Sequence, residues 1–253
     1  MPAAASAPWG SCSAGAVTGS CSRRVRPRHG EGVEPRGAPR YVRAALEASL
    51  ERLQTDHVDL LYYHWPDGIT PISETVGRWR RFVQEGKARA IGVSNVTLVE
   101  LEEAAQSAQV ASVQNEYSLL AREAEHDVLP CCRELGIGFV PYYPLAAGLL
   151  TVKYRRGKPP PRGTRWAGSD VFAGDGWVTR HVSTAQATFD MVARLETFAR
   201  ARGRTLLELA IAGVPSRPGV ASVIAGATSP GQVRAGQWQL LPHELAELRS
   251  LVG

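Results

Sequence analysis

The chain has 253 residues, of which 44% are hydrophobic and 21% are charged, so it can bury one sizeable core. Its formal net charge is +5, but several arginines are concentrated near the N-terminus (Arg23, Arg24, Arg26 and Arg28), and the rest is near neutral. The charge therefore does not indicate a nucleic-acid partner. Because no run of about 18 apolar residues occurs, we expect no membrane-spanning helix.

Residues 1–38 show neither helical nor strand periodicity and are rich in Ala, Ser, Gly, Pro and Arg. Such a composition cannot bury enough surface to offset the entropy lost on ordering. We therefore predict a disordered or aberrant segment at residues 1–38, followed by one domain at residues 39–253. The segment lacks the pattern of a secretory signal or a transit peptide. The four cysteines fit no metal or disulfide framework, so the expected compartment is the cytoplasm.

Residues 40–67 give the clearest pattern in the chain. Apolar residues recur at helical spacing over residues 40–53, which predicts an amphipathic helix. Residues 58–63 are almost all apolar, as in a parallel strand covered on both faces. His64 follows at the carboxyl end of this strand and Pro66 ends it. This is the edge of the sheet at which α/β proteins bind their ligands.

Strands and helices then alternate to the end of the chain, which implies parallel strands joined by right-handed crossovers. A long connection rich in Gly, Pro and Arg is typical of an active-site loop. Five strands are predicted where a closed eight-stranded barrel needs eight, so the outer strands would leave open edges prone to self-association. Helices are predicted at residues 72–86, 97–108, 123–135, 185–202, 205–214 and 242–251, strands at 58–63, 88–93, 110–114, 138–142 and 222–225, and the long connection at 145–184.

A dinucleotide-binding fold of the Rossmann type is the rival interpretation, and its glycine motif is missing. That motif lies between a strand and the helix that follows. Gly136 and Gly138 instead precede a strand, and Gly174 and Gly176 lie within a loop. Any dinucleotide would therefore bind at the strand-end loops.

The helix at 40–53, the strand at 58–63 and the motif His64-Trp65-Pro66-Asp67 together resemble the aldo-keto reductases, from about residue 39 to the C-terminus. Members of this family reduce carbonyl compounds with NADPH on a (β/α)8 barrel. The resemblance implies an α/β fold of TIM-barrel type with its first three strands missing or unrecognisable. It also implies that His64 lies beside a small-molecule carbonyl substrate, in a tetrad with an Asp, a Tyr and a Lys. None of these three has an identifiable counterpart before Tyr41.

The resemblance further implies how NADP(H) is bound. The expected nicotinamide contacts are Ser94, Asn95 and Gln114 for the carboxamide, which needs both donors and acceptors, and Tyr142 stacked on the ring. The other expected contacts are Tyr143, Pro144 and Leu145 along the pyrophosphate, Lys153 and Arg165 from the loop over the cofactor, and Gly226, Thr228 and Gln232 at the adenosine end. Many members have Ser in place of Tyr143, and a Glu and an Asn in place of Ala235 and Gly236, so weaker phosphate and adenine contacts are expected.

Each of these residues also has an ordinary structural interpretation. Ser94 and Asn95 could cap the helix that begins near Thr97, Gln114 could be a polar strand end, and Lys153 a solvated charge. Their joint position on successive strand ends favours the cofactor site.

Three hypotheses for function follow. The first is an NADPH-dependent oxidoreductase that reduces an aldehyde or ketone to an alcohol, inactive as written if its proton donor is absent. The second is a non-catalytic member that binds NADP or a partner. The third is an ordinary reductase whose N-terminal residues, up to about Val33, derive from a different start or reading frame.

Overall fold

The computed structural model describes residues 17–19, 37–173, 176–227 and 230–253. Its packing divides the chain into two compact units, Met1–Gln114 and Asn115–Gly253. Within the described ranges, no helix is both long enough and apolar enough to cross a bilayer.

The first unit alternates strands with helices. Its elements are β1 (Val17–Gly19), α1 (Pro39–Leu53), β2 (Val58–Tyr63), α2 (Ile72–Gln84), β3 (Ala88–Ser94), α3 (Leu98–Ser107) and β4 (Val110–Gln114).

The four strands of the first unit are parallel and follow the order of the chain, β1-β2-β3-β4. Tyr63 near the end of β2 pairs with Val93 of β3, and Ser94 pairs with Gln114 at the end of β4. Because all four strands run in one direction, the residues that follow them lie at the same edge of the sheet. This confirms the predicted alternation and places His64 at the edge where ligands bind in such sheets.

The helices of the first unit bury the predicted stripes, with one exception. Val42, Leu46 and Leu50 are the buried residues of α1. The spacing of Val76, Trp79, Phe82 and Val83 predicts that they form one buried face of α2. Trp79 and Phe82 are buried at 2% and 3% exposure, but Val83 is 39% exposed. Each residue turns the helix by about 100°, so the position after Phe82 points away from the sheet.

A strand precedes α1, contrary to the prediction that residues 1–38 contain none. Val17–Gly19 pairs in parallel with Leu61–Tyr63 of β2. Strand β2 therefore has partners on both sides, and the prediction that it is an open edge is wrong. Three residues have too little periodicity to be recognised, and their partner lies far along the chain. The rest of the segment predicted to be disordered, residues 1–16 and 20–36, lies outside the described residues.

The second unit is mostly helical. Its elements are α4 (Val128–Glu134), β5 (Gly138–Phe139), α5 (Gln186–Arg200), α6 (Leu206–Gly213), α7 (Pro230–Arg234) and α8 (Pro242–Val252), with short 3-10 segments at Glu123–Glu125, Ala146–Thr151 and Ala235–Gln237.

Three predictions for the second unit need correction. The helix predicted at 123–135 is interrupted, because Asp127 accepts a hydrogen bond from Val128 N at 2.5 Å and starts α4 there. The strand predicted at 138–142 is two residues long, followed by a single parallel bridge between Glu116 and Tyr142. Instead of a strand at 222–225, one bridge joins Val220 to Phe139, and most of the residues that follow are exposed.

Much of the long connection at 145–184 belongs to the core of the second unit. Tyr154 and Phe172 stack with their ring centroids 4.7 Å apart. They pack in one buried cluster with Leu195 of α5 and Leu209 of α6. Because these side chains anchor both ends of the connection, it is a packed segment rather than a simple surface loop.

Candidate active site

His64 lies directly after β2 and is half-buried. Burial lowers the pKa of its imidazole below the ordinary value, so the ring is neutral at pH 7. The backbone carbonyl of His64 accepts a hydrogen bond from Asn95 Nδ2 at 2.8 Å. This contact fixes the backbone of His64, and a neutral imidazole can donate one hydrogen bond to a carbonyl oxygen.

The three polar residues expected to hold the carboxamide form one hydrogen-bonded cluster. The Ser94 hydroxyl donates to the Gln114 carbonyl at 2.6 Å, and the Asn95 backbone N–H donates to the same oxygen at 3.1 Å. The Asn95 side-chain amide also donates to Ser94 Oγ at 3.1 Å. Together with the bond to His64, these contacts fix the ends of β2, β3 and β4 to one another. The structure therefore brings His64, Ser94, Asn95 and Gln114 together.

The alternative interpretation of Ser94 and Asn95 as a helix cap is wrong. Thr97 caps α3, and Glu100 completes a capping box with it. Asn95 adopts a left-handed backbone with φ of 59°, which is uncommon outside glycine and clusters at functional sites.

The tyrosines beside His64 are both committed to structural hydrogen bonds. The Tyr62 hydroxyl bonds with the Ser112 hydroxyl inside the sheet. The Tyr63 hydroxyl accepts a bond from the Asp67 backbone N–H at 3.2 Å, and its ring meets Trp79 edge-on at 5.7 Å. Burial raises the pKa of both phenols. Such groups are poor proton donors, because their ionised form is disfavoured.

The first lysine of the chain cannot activate either phenol. Lys87 immediately precedes β3, and its Nζ donates to Glu47 Oε1 at 2.6 Å. The seven residues of β3 separate it from the His64 edge by about 20 Å.

Asp67 anchors the loop that follows His64, a role that the sequence analysis missed. Its carboxylate accepts hydrogen bonds from the backbone N–H groups of Gly37 at 2.7 Å, Thr70 at 2.7 Å and Ile69 at 2.9 Å. The run Pro66-Asp67-Gly68 is a turn signal that could have indicated this role. The loop beside His64 is therefore tied to the residues just before α1.

In the second unit, Tyr142 and Tyr143 lie together after β5. Their rings meet edge-on with centroids 5.2 Å apart. The pKa of Tyr142 is raised to about 12, mainly because the phenol is buried and also because the Glu116 carboxylate lies nearby. The guanidinium of Arg165 lies 5.3 Å from the centroid of the Tyr143 ring. The structure therefore brings Arg165 of the connection against the tyrosine pair.

Backbone strain is concentrated just after Tyr142. Tyr143, Ala146, Ala147 and Val152 all have φ between 46° and 57°, a region that costs non-glycine residues free energy. Between them lies Pro144, which is buried, and Leu145, which is partly buried. Such a concentration of strain is typical of functional segments rather than of plain connections.

The remaining expected contacts are more dispersed. Lys153 folds back, with its Nζ 5.2 Å from the Tyr154 ring centroid. A Cβ at Gly148 would lie 2.9 Å from Lys153 Cε, so this glycine makes room for the lysine. Gly226 and Gln232 are exposed. Thr228 lies outside the described residues.

Glu116 is a further unusual residue that the sequence analysis did not single out. It is 7% exposed, and its Oε1 has no hydrogen-bond partner. Burial raises the pKa of this carboxyl, although hydrogen bonding to Thr179 opposes the shift.

The comparisons with known proteins concern the family and the fold of the chain. Residues 27–247 match the aldo/keto reductase family, so the match begins earlier than residue 39. A probable aldo-keto reductase 1 of Glycine max is 44% identical over 114 residues, which are 45% of this chain and 33% of that protein. The glycerol dehydrogenase of Gluconobacter oxydans has a similar structure, with a TM-score of 0.70 at 28% identity, over 85% of this chain and 64% of that one. A thermostable aldo-keto reductase solved with the inhibitor epalrestat gives a TM-score of 0.64 at 26% identity, over 84% of this chain and 66% of that one.

The chain thus spans 33% of the curated relative and about two thirds of the solved structures, at 64% and 66%. Its α/β fold with parallel strands matches those aldo-keto reductase structures, whereas three missing barrel strands remain a prediction. Since the family match covers residues 27–247, the chain belongs to the aldo/keto reductase family.

Proposed function

We propose that the chain is an NADP(H)-binding oxidoreductase whose reaction class is reduction of an aldehyde or ketone to an alcohol. The observation that carries the proposal is the cluster of Ser94, Asn95 and Gln114 beside His64. A nicotinamide carboxamide has two N–H donors and a carbonyl acceptor, and hydroxyl and amide side chains complement both. The donor set at this edge of the sheet therefore fits the cofactor that the family uses.

The residues of the first unit would have two roles. Ser94, Asn95 and Gln114 would hold the carboxamide, and His64 would orient the substrate carbonyl by hydrogen bonding to its oxygen. Bound NADPH would supply the hydride. The low pKa of His64 supports an orienting role, because a neutral ring donates a hydrogen bond without becoming the proton source.

The residues of the second unit would contact the rest of the cofactor. Tyr142 would stack on the nicotinamide ring, with Tyr143, Pro144 and Leu145 along the pyrophosphate. Lys153 and Arg165 would belong to the loop over the cofactor, with Arg165 at the 2′-phosphate. Gly226, Thr228 and Gln232 would lie at the adenosine end. The strained backbone after Tyr142 supports a functional role for Tyr143, Pro144 and Leu145. Ala235 is 4% exposed and has no polar side chain to offer adenine, which supports weaker binding at that end.

A second candidate function is a non-catalytic NADP-binding member of the family. The observation that favours it is the commitment of both Tyr62 and Tyr63 to buried hydrogen bonds. No pair of a tyrosine and a lysine lies at the His64 edge among the described residues of the first unit. Without such a pair, these residues favour binding of the cofactor over catalytic turnover.

The experiment that tests the proposal compares NADPH with NADH. Replacing Arg165 with alanine should weaken NADPH binding about tenfold or more, and NADH binding little, because only NADPH carries the 2′-phosphate that would accept charge-assisted hydrogen bonds. The dissociation constants can be measured from the nicotinamide fluorescence of each cofactor.

Arg162→Ala is the matched control, since Arg162 is exposed on the same connection and is expected to leave both constants within about twofold. Equal losses for the two cofactors would remove Arg165 from its proposed role. Failure of the unmodified chain to bind NADPH would refute the proposed function itself.

A further inference from the structure

Tyr143 and Arg165 belong to two separate turns of the second unit. The first turn closes where the Ala146 backbone N–H donates to the Tyr143 carbonyl at 2.8 Å. The second closes where the Ala167 backbone N–H donates to the Thr164 carbonyl at 3.2 Å, so Arg165 is its first central residue. Each side chain therefore starts from a backbone position that a local hydrogen bond fixes.

The two side chains meet at the face of the Tyr143 ring. The Arg165 guanidinium lies over this ring, 5.3 Å from its centroid, which is within the range of a cation–π contact. The Tyr143 ring is itself held, because it meets the Tyr142 ring edge-on with centroids 5.2 Å apart. Tyr143 is half-buried and Arg165 is exposed, so the contact restrains a long side chain that would otherwise rotate in solvent.

A guanidinium in this position can still bind an anion. A cation over a ring is attracted by the electrons of the ring face rather than by a hydrogen-bond acceptor. The contact with Tyr143 therefore leaves the N–H donors of Arg165 to bind an anion. Phosphate oxygens accept guanidinium N–H groups in pairs, which makes the binding depend on how the guanidinium is oriented.

We propose that Tyr143 is a positioning residue that holds Arg165 for the 2′-phosphate of NADPH and thereby strengthens the preference for NADPH over NADH. The inference rests on the proposed function, in which Arg165 meets that phosphate. An arginine that is ordered before the cofactor arrives loses less entropy when the cofactor binds. Because NADH lacks the 2′-phosphate, this gain applies to NADPH alone.

Tyr143→Leu is the informative variant, because it removes the aromatic ring and keeps an apolar side chain. The measured quantity is the ratio of the dissociation constant for NADH to that for NADPH, each obtained from nicotinamide fluorescence. In Tyr143→Leu this ratio should fall about three- to tenfold, as for the loss of one partly buried cation–π contact. Tyr143→Phe is the matched control, since it keeps the ring and loses only the hydroxyl, and its ratio should stay within about twofold of the original.

The dependence on Arg165 is tested by combining two substitutions. Arg165→Ala alone should lower the same ratio about tenfold or more, because it removes the guanidinium that would bind the 2′-phosphate. In a chain that already carries Arg165→Ala, Tyr143→Leu should change the ratio by less than about twofold, because Tyr143 acts through Arg165.

An unchanged ratio in Tyr143→Leu would overturn the inference, whether both constants stay the same or rise equally, since equal losses indicate a structural role only. The same fall in Tyr143→Phe would assign the effect to the hydroxyl and not to the ring. A further fall in the Arg165→Ala background would show that Tyr143 acts independently of Arg165.

Tyr143→Ser is the second variant if Tyr143→Leu does not fold. Because serine also lacks a ring, Tyr143→Ser should lower the ratio by the same factor, and an unchanged ratio there would count equally against the inference. Failure of the unmodified chain to bind NADPH would instead refute the proposed function.

Discussion

Replacing Glu125 with alanine is expected to lower the free energy of unfolding by about 2–3 kcal/mol, because it leaves two partly buried guanidinium groups without their carboxylate partner. Glu125 accepts hydrogen bonds from Tyr117 Oη at 2.5 Å and from Arg122 NH2 at 2.6 Å, and Arg217 Nε lies 3.3 Å away. The side chains of Glu125, Arg122 and Arg217 are 18%, 21% and 13% exposed, so water replaces the lost carboxylate poorly. Arg122 also donates to the Val252 carbonyl at 2.6 Å. If the Arg122 side chain became mobile, the C-terminal end of α8 would lose this contact.

The loss of stability caused by Glu125→Ala should become smaller as the pH falls. Burial raises the pKa of Glu125, but hydrogen bonds from Arg122 and Tyr117 outweigh it and hold the pKa below its usual value. A carboxyl with a depressed pKa in the folded state contributes stability above its unfolded pKa of about 4.3, and this is lost as pH falls through the folded pKa. The difference in the free energy of unfolding between the unmodified chain and Glu125→Ala should therefore be largest at pH 7 and become smaller in acid.

Urea unfolding at pH 7 and in acid measures the loss of stability in Glu125→Ala and its dependence on pH. Glu134→Ala is the control, since Glu134 is exposed at the end of α4 and should change stability by less than about 0.5 kcal/mol. If Glu125→Ala costs no more than this control, the network contributes nothing to the fold.

Carbonyl reduction by this chain is expected to be about 10² to 10⁴ times slower than in family members with a complete tetrad, since that is the usual cost of losing a general acid. His64 can orient a carbonyl, but the described residues of the first unit place no activated tyrosine beside it: Tyr62 and Tyr63 make buried hydrogen bonds, and Lys87 lies at the other end of β3. The alkoxide that hydride transfer would form on the substrate would therefore find no tyrosine as proton donor among these residues.

An assay with NADPH and 4-nitrobenzaldehyde, followed by the absorbance of the reduced nicotinamide, measures this loss. At saturating NADPH, Tyr63→Phe should change the slow background by less than about threefold, because its phenol is not a working proton donor. Turnover at the ordinary rates of the family, abolished by His64→Ala, would prove that a proton donor is present elsewhere in the chain.

The elements with strong local signals could be predicted from the sequence. The stripe of α1, the helices predicted from Thr97 and Thr205, and the apolar run of β2 all have signals within a few residues. The cluster of Ser94, Asn95 and Gln114 was predictable for a related reason, since parallel strands bring their carboxyl ends to one edge.

Features that depend on distant partners could not be predicted. Strand β1 is three residues long and is defined by its pairing with β2. The passage of Tyr62 over Gly92 toward Ser112 joins three strands, and a lone glycine within an apolar run gives only a weak signal of close approach. The segment at 222–225 has the composition of a strand, but only a single bridge forms nearby, at Val220.

A titration of the purified chain with NADPH, followed by nicotinamide fluorescence, tests the central claim most directly. We expect a saturable change with one cofactor per chain and a dissociation constant below about 1 mM, because the carboxamide cluster and the tyrosine pair are both present. A strictly linear signal with no saturation up to about 1 mM would contradict it, since residues placed as these are would then hold no cofactor.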